Sequence, residues 1–453
     1  MSDPFPSDRR DDLAARAATV LRRNDLGGWT KAAPTLYPHQ WSWDSAFVAI
    51  GWAHLDVARA ARELRSLFRA QWATGMVPHI VFDPRATGYF PDAARWDASR
   101  SPHAPAGVAT SGICQPPVHA IAAYRIWETA YRQGEDAVAT ADAFLRDLYP
   151  RLFAWHRYLA TARDPEGAGL VTIYHPWESG ADNSPRWDGA LAAVRVGDLP
   201  PYTRSDLQHV ADAAQRPTAA EYDRYLWLVE VLKAARYDDD AVRRRAPFLV
   251  KDVLFSAILV AANEALLEIA MLLDAPDVER ATITGWLDRG RRGLAGRWHA
   301  DPGLCLDYDL RAGDAIRART IAGFAPLVAG RLPADRRAAL LATLDSPAFL
   351  GNAGLRWPLP PSTSPDDPAF RPRSYWRGPV WPVLNWLYWW ALGREGEDDR
   401  AARLKAAALA QLAGGEFAEY YEPCTGEPLG SPAQSWTAAA VLDWLAAEGE
   451  WGT

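Results

Sequence analysis

Cysteine is scarce in this chain of 453 residues: the three present, Cys114, Cys305 and Cys424, are odd in number, far apart and never in CxxC spacing. They suggest neither a disulfide framework nor a zinc site. The nine histidines never stand at metal-ligand spacing, and no HExxH, GxGxxG, GK[ST] or GxSxG segment occurs. Metal, dinucleotide, nucleotide and serine-elbow chemistries therefore lack their usual carriers, and no metal or cofactor is expected. A surplus of positive charge is also missing, since 49 Lys+Arg stand against 56 Asp+Glu for a formal net charge of −7. The one run of three basic residues, Arg243-Arg244-Arg245, follows Asp238-Asp239-Asp240 after only Ala241 and Val242 and reads as a locally neutralised, solvated loop. No nucleic-acid partner is expected. The N-terminus has no apolar core of the signal-peptide kind. The most hydrophobic stretch, Val253 to Leu273, is interrupted by Asn263, Glu264 and Glu268, which a bilayer would penalise. No membrane partner is expected, and a cytoplasmic location is.

What the chain has in excess is aromatic: 22 Trp, 16 Tyr and 13 Phe beside only 3 Met. Most such rings fill a core. Trp41, Trp43, Trp96, Trp177, Trp187, Trp357, Trp376 and Trp381, however, lie beside turn residues or carboxylates, where a ring more naturally lines a pocket. The apolar faces of sugar rings stack on such side chains, so carbohydrate is the first ligand class suggested.

Apolar residues at three- and four-residue spacing predict helices over 10–23, 45–73, 117–133, 141–162, 219–236, 252–274, 279–297, 316–330, 334–345, 378–393, 398–413 and 433–447. Strand-like alternation is confined to short pieces such as Val77–Phe82 and Leu170–Tyr174. An all-α fold follows. Some helices are polar on one face and others, such as 253–273, are apolar all round, which predicts an inner ring of helices inside an outer one. The whole chain, 1–453, reads as one domain, with long Pro-, Gly- and Trp-rich segments at 74–116, 163–218 and 346–377. Lid or cap loops near 74–116 and 163–218 are expected to close over the site and to be flexible without ligand.

Three segments place carboxylates among aromatics: Tyr37 to Ser45, Trp177 to Asp188, and Phe417 to Glu427. Singly each has a plain structural reading, as an N-cap for Asp44, as solvated loop acids for Trp177 to Asp188, and as a surface turn for Phe417 to Glu427. In order they carry Trp43-Asp44-Ser45, Met76-Val77-Pro78-His79, Cys114-Gln115-Pro116-Pro117, Glu178-Ser179-Gly180-Ala181-Asp182-Asn183-Ser184-Pro185-Arg186-Trp187, Tyr375-Trp376-Arg377-Gly378-Pro379-Val380-Trp381-Pro382 and Glu419-Tyr420-Tyr421-Glu422-Pro423-Cys424-Thr425-Gly426. This series resembles the processing α-glucosidase I and trehalase group of inverting glycosidases, from about residue 37 to about 436. The absence of an extra β-domain makes it most similar to the compact branch that includes mannosylglycerate and glucosylglycerate hydrolases.

The resemblance implies an (α/α)6 toroid of six helical hairpins. It also implies Asp182 as general acid and Glu419 as general base, with Glu422 and Glu427 as competing bases. Inversion needs the two carboxyl groups about 6.5–9.5 Å apart, so that a water fits between base and sugar. Asp44 would hydrogen-bond sugar hydroxyls. Tyr37, Trp41, Trp43, Trp376, Gly378 and Trp381 would form the walls of the sugar site, with Gln115, Glu178, Tyr375 and Gln434 as polar partners. Arg216 and Tyr222 resemble the pair that grips a glycerate carboxylate. The expected partner is a small glycoside, glucosylglycerate first and mannosylglycerate as the close alternative, and Trp-rich surface helices leave room for a homo-oligomer. A sugar isomerase or a non-catalytic carbohydrate-binding protein would keep the aromatics without needing both Asp182 and Glu419.

Overall fold

The structure, a computed structural model, describes residues 7–208 and 212–447. Six inner helices form a closed ring in which each contacts the next: Ser42–Ala53, His119–Gln133, Val253–Leu272, Ala325–Ala329 (prolonged by the 3-10 turn Ile321–Phe324), Pro382–Arg394 and Ser435–Ala446, the last returning against the first. Their sequences explain their place. Every residue of Ser42–Ala53 is buried, and all but the last of Pro382–Arg394. A helix without a polar face must be covered on all sides. The outer layer is Ser7–Asn24, Val57–Phe68, Glu135–Thr161, Asp277–Ala295, Ala334–Asp345 and Asp398–Leu412. The fold is thus the (α/α)6 toroid of helical hairpins. Val253–Leu272 is long and apolar enough to cross a membrane, but most of it is buried inside the ring.

The sequence pattern misjudged several places: of the predicted helix over 316–330, only the 3-10 turn Ile321–Phe324 and the short helix Ala325–Ala329 are helical. The predicted helix over 45–73 is two helices, because Asp56 accepts from the backbone N–H of Arg59 and caps a fresh start after His54. The basic run expected to be a loop is the last turn of a helix, Asp239–Arg245. Asp238 caps its start, acids occupy its first turn and arginines its last, which is the charge order that the helix dipole favours.

Short antiparallel pairs pin the long loops at one end of the toroid. Gln40–Trp41 pairs with Ile80–Val81, and Tyr420–Tyr421 with Pro428–Leu429. A four-stranded sheet runs in the order Thr172–Ile173, Val250–Lys251, Tyr308–Asp309 and Asp314–Ala315. Val380 bridges to Tyr421, tying the segment after Tyr375 to the strand after Glu419.

Candidate active site

The loops and inner-helix N-termini line one cavity, with about 900 Å3 of atom-free space when the open solvent at its mouth is included. Trp43 and Asp44 come from the first turn of Ser42–Ala53, Gln115 from the chain entering His119–Gln133, and Gln434 from the cap of Ser435–Ala446. The loop over 74–116 adds His79, Ile80, Tyr89, Phe90 and Pro91, and the loop over 163–218 adds Trp177, Gly180, Asp182, Ser205, Asp206, Arg216 and Pro217.

Asp182 is held by its backbone. Tyr225 Oη donates to its carbonyl at 2.9 Å, and Trp187 Nε1 donates to the carbonyl of Ala181 at 2.8 Å. The next residue, Asn183, accepts the backbone N–H of Trp376 at 2.9 Å. Gly180 sits at φ +71, and a Cβ there would stand 2.6 Å from the Trp43 ring, so only glycine lets the loop pass this close to the cavity wall. Burial raises the Asp182 carboxyl to about 7; Arg216 opposes the shift and the Glu419 charge adds to it. A carboxyl that keeps its proton near neutrality can act as an acid. Asp44, with burial first and the Glu419 and Asp182 charges after it, is also pushed well above the usual carboxylate range.

Glu419 lies directly before the Tyr420–Tyr421 strand and is buried. Its Oε1 accepts from Tyr37 Oη at 2.6 Å, and its Oε2 accepts from the Ser431 backbone N–H at 3.0 Å and Oγ at 3.3 Å. Arg216 Nη2 stands 3.5 Å from Oε2, and its guanidinium lies 4.6 Å over the Tyr375 ring. Arg216 Nη1 donates to Tyr37 Oη at 3.2 Å, while Nε and Nη2 are buried without a hydrogen-bond partner. These donors suit an ionised carboxylate. Tyr375, which brings its hydroxyl to 3.5 Å from Oε1, has a left-handed backbone at φ 40, a strained conformation for a tyrosine at the site.

Of the residues expected at the site, Tyr37, Trp41, Trp43, Asp44, Gln115, Asp182, Arg216, Tyr222, Tyr375, Glu419 and Gln434 line this one cavity. Four do not, and their expected roles are corrected. Glu178 is fully buried beneath the acid loop, where Arg163 grips it at 2.6 and 3.0 Å and the amides of Tyr174 and Cys114 donate to it. Trp376 and Trp381 stack on each other, ring centroids 3.6 Å apart, behind Tyr375 and Trp43. Gly378 is a packing glycine: a Cβ would stand 2.5 Å from the Arg371 carbonyl. The competing bases are also placed elsewhere. Glu422 caps the turn at Cys424 and Thr425, and Glu427 is exposed and paired with Arg373.

Sequence reasoning missed His79, Tyr89, Asp206 and Trp436 as cavity residues. His79 and Tyr89 lie in a loop already marked as long and ring-rich; Trp436 carried no signal, since it sits in an apolar helix.

The profile of the mannosylglycerate hydrolase MGH1-like glycoside hydrolase domain matches residues 37–437. The glucosylglycerate hydrolase of Mycolicibacterium hassiacum is 52% identical over 441 residues, covering 97% of this chain and 99% of that protein. The mannosylglycerate hydrolase of Thermus thermophilus is 44% identical, covering 95% and 99%. The crystal structure of a GH63 mannosylglycerate hydrolase, also from Thermus thermophilus, in complex with Tris and D-glycerate superposes with a TM-score of 0.87 at 43% identity, over 95% of this chain and 99% of that one. A neutral trehalase from Saccharomyces cerevisiae shares the fold alone, with a TM-score of 0.51 at 16% identity over 91% of this chain and 72% of that one. With its toroid, its carboxylate-lined cavity and a family match that spans nearly its whole length, the chain belongs to the mannosylglycerate hydrolase MGH1-like glycoside hydrolases.

Proposed function

We propose that this glycoside hydrolase cleaves α-glucosylglycerate to glucose and glycerate with inversion, Asp182 acting as general acid and Glu419 as general base. The observation that carries this reading is the pairing, in one cavity, of a carboxyl raised to about 7 with a carboxylate wrapped by hydrogen-bond donors. Asp182 protonates the glycosidic oxygen as the bond breaks, and Glu419 takes a proton from the water attacking the opposite face of the anomeric carbon. Asp44, with Trp41, Trp43 and Gln115, orients the hexose. The glucosylglycerate hydrolase at 52% identity favours glucose over mannose. Proton NMR of the enzyme with α-glucosylglycerate tests the assignment. β-Glucose appearing first supports it, and α-glucose appearing first, or no turnover, overturns it.

The pH dependence follows from the acid. With the Asp182 carboxyl at about 7, kcat/KM is expected to fall roughly tenfold per pH unit above neutrality, because the proton to be donated is lost. A rate flat to pH 9 would exclude Asp182 as the acid.

Arg216 carries the aglycone assignment. Its Nε, buried without a hydrogen-bond partner, and its Nη2, which faces Glu419 Oε2 only at 3.5 Å, are the donors that a glycerate carboxylate would take. Because Arg216 also touches Tyr37 and faces Glu419, R216A is expected to slow every substrate. The added loss in kcat/KM, about tenfold, is expected for glucosylglycerate and not for uncharged glucosylglycerol. Equal losses on the two would remove glycerate from the role.

A further inference from the structure

Glu419 is held from behind by Gly430 and Ser431, two residues that do not line the cavity. The Glu419 N–H donates to the Ser431 carbonyl at 3.0 Å, and the Ser431 N–H returns to Oε2 of the same glutamate, also at 3.0 Å. Gly430 makes this closeness possible: at φ +72, a Cβ there would stand 2.5 Å from Oε2 and 2.5 Å from the Tyr420 ring. Ser431 is itself buried, and its Oγ faces two acceptors, Glu419 Oε2 at 3.3 Å and Gln434 Oε1 at 2.7 Å. A hydroxyl has one proton to give, so it cannot serve both at full strength. Gln434, in turn, lines the cavity, and its Nε2 is buried without a partner.

We propose that Ser431 is a positioning residue for the general base: its hydroxyl shares one proton between Glu419 Oε2 and Gln434 Oε1, fixing the rotation of the carboxylate and the face that the Gln434 amide turns to the cavity. The proposal rests on the reading of Glu419 as base. While Glu419 is an anion, it competes for the Ser431 proton. Once Glu419 has taken a proton from water, that competition ends and the O–H turns to Gln434 Oε1. The change is a rotation of the hydroxyl, with no bond made or broken. With Oε1 held by Ser431, the Nε2 of Gln434, buried without a partner, keeps both N–H donors for a ligand that reaches it.

The test compares parent, S431A, S431C and E419Q on α-glucosylglycerate. S431A keeps the backbone donor and loses the hydroxyl. Its kcat is expected to fall about tenfold with KM changed less than about threefold. The acid limb of its kcat/KM profile is expected to move up by about one pH unit, because the carboxylate loses a donor that favours its charged form. S431C fills the same space with a weaker donor and is expected to fall between the two, with a thermal midpoint near the parent's. An acid limb unmoved in both variants overturns the proposal, whatever the loss of rate, since a purely structural role lowers activity without shifting it. Should S431A not fold, the acid limb of S431C decides alone. E419Q separates the two levels of argument: an active E419Q refutes the base assignment, whereas an inactive E419Q with an unmoved acid limb in the serine variants refutes only the role of Ser431.

Discussion

D182N and E419Q are each expected to lower kcat for α-glucosylglycerate by about 10²–10⁴-fold, with the fold intact. Both exchanges keep the shape of the side chain and remove the ability to give or take a proton, E419Q together with the charge that faces Arg216. The two losses have different signatures. Azide attacks without needing a proton removed, so it is expected to restore turnover to E419A and not to D182A. Rescue of both, or of neither, would contradict the division of roles.

D182N also has a thermodynamic signature. The folded-state carboxyl lies at about 7 against an ordinary 3.8, so the parent binds this proton more tightly when folded. That contribution is fully present below about pH 4 and is lost as pH rises through 7. Asparagine carries no such loss. D182N is therefore expected to exceed the parent in stability at pH 8 by up to about 4 kcal/mol, with the gap closing toward pH 4. Denaturant midpoints at the two pH values measure it, and a gap that does not change with pH would show that Asp182 is not held protonated.

The second large effect is expected far from the chemistry. Asp443, near the C-terminal end of Ser435–Ala446, is fully buried and accepts from three other places in the inner ring. His54 Nε2, just past Ser42–Ala53, is 2.8 Å away; Arg125 Nη2 of His119–Gln133 reaches both oxygens at 2.8 and 3.0 Å; and Trp386 Nε1 of Pro382–Arg394 lies at 2.8 Å. Burial alone would raise this carboxyl, but Arg125 foremost, with His54 and Trp386, holds it well below the usual carboxylate range. Removing one member of such a buried ionic cluster costs about 3–5 kcal/mol, chiefly because Arg125 keeps its charge and loses its main partner. D443A is expected to lose that much in urea denaturation at pH 7. Since the folded value is depressed, the carboxylate contributes above about pH 4 and its contribution fades as pH falls further, so the gap should narrow in acid. Asp443 lies outside the cavity, and kcat of the folded variant at low temperature should match the parent. A stability loss below about 1 kcal/mol would mean that the cluster contributes little to ring closure.

Helix positions were legible because they are local. The apolar spacing over 334–345 gives the observed helix Ala334–Asp345, and the pattern over 398–413 gives Asp398–Leu412 within one residue. The division into buried and half-polar helices was legible too, as in the contrast between Val253–Leu272 and Val57–Phe68. The motif order singled out Asp182 and Glu419 although they are 237 residues apart, because each stands in a distinctive run of turn residues and rings.

Side-chain destination was not legible. Glu178 and Asp182 are four residues apart in one loop, yet one is locked under it by Arg163 and the other lines the cavity. Glu419, Glu422 and Glu427 share one segment, and only the pairing of Tyr420–Tyr421 with Pro428–Leu429 decides that the first meets Tyr37 and Ser431 while the second caps a turn and the third faces solvent. By itself the sequence determined that this chain makes paired helices, and which loops carry the acid and base candidates, since helix periodicity and motif spacing are properties of neighbouring residues. Only the tertiary structure decided which carboxylates share the cavity, because that depends on the ring closing between Ser42–Ala53 and Ser435–Ala446, a contact between opposite ends of the chain.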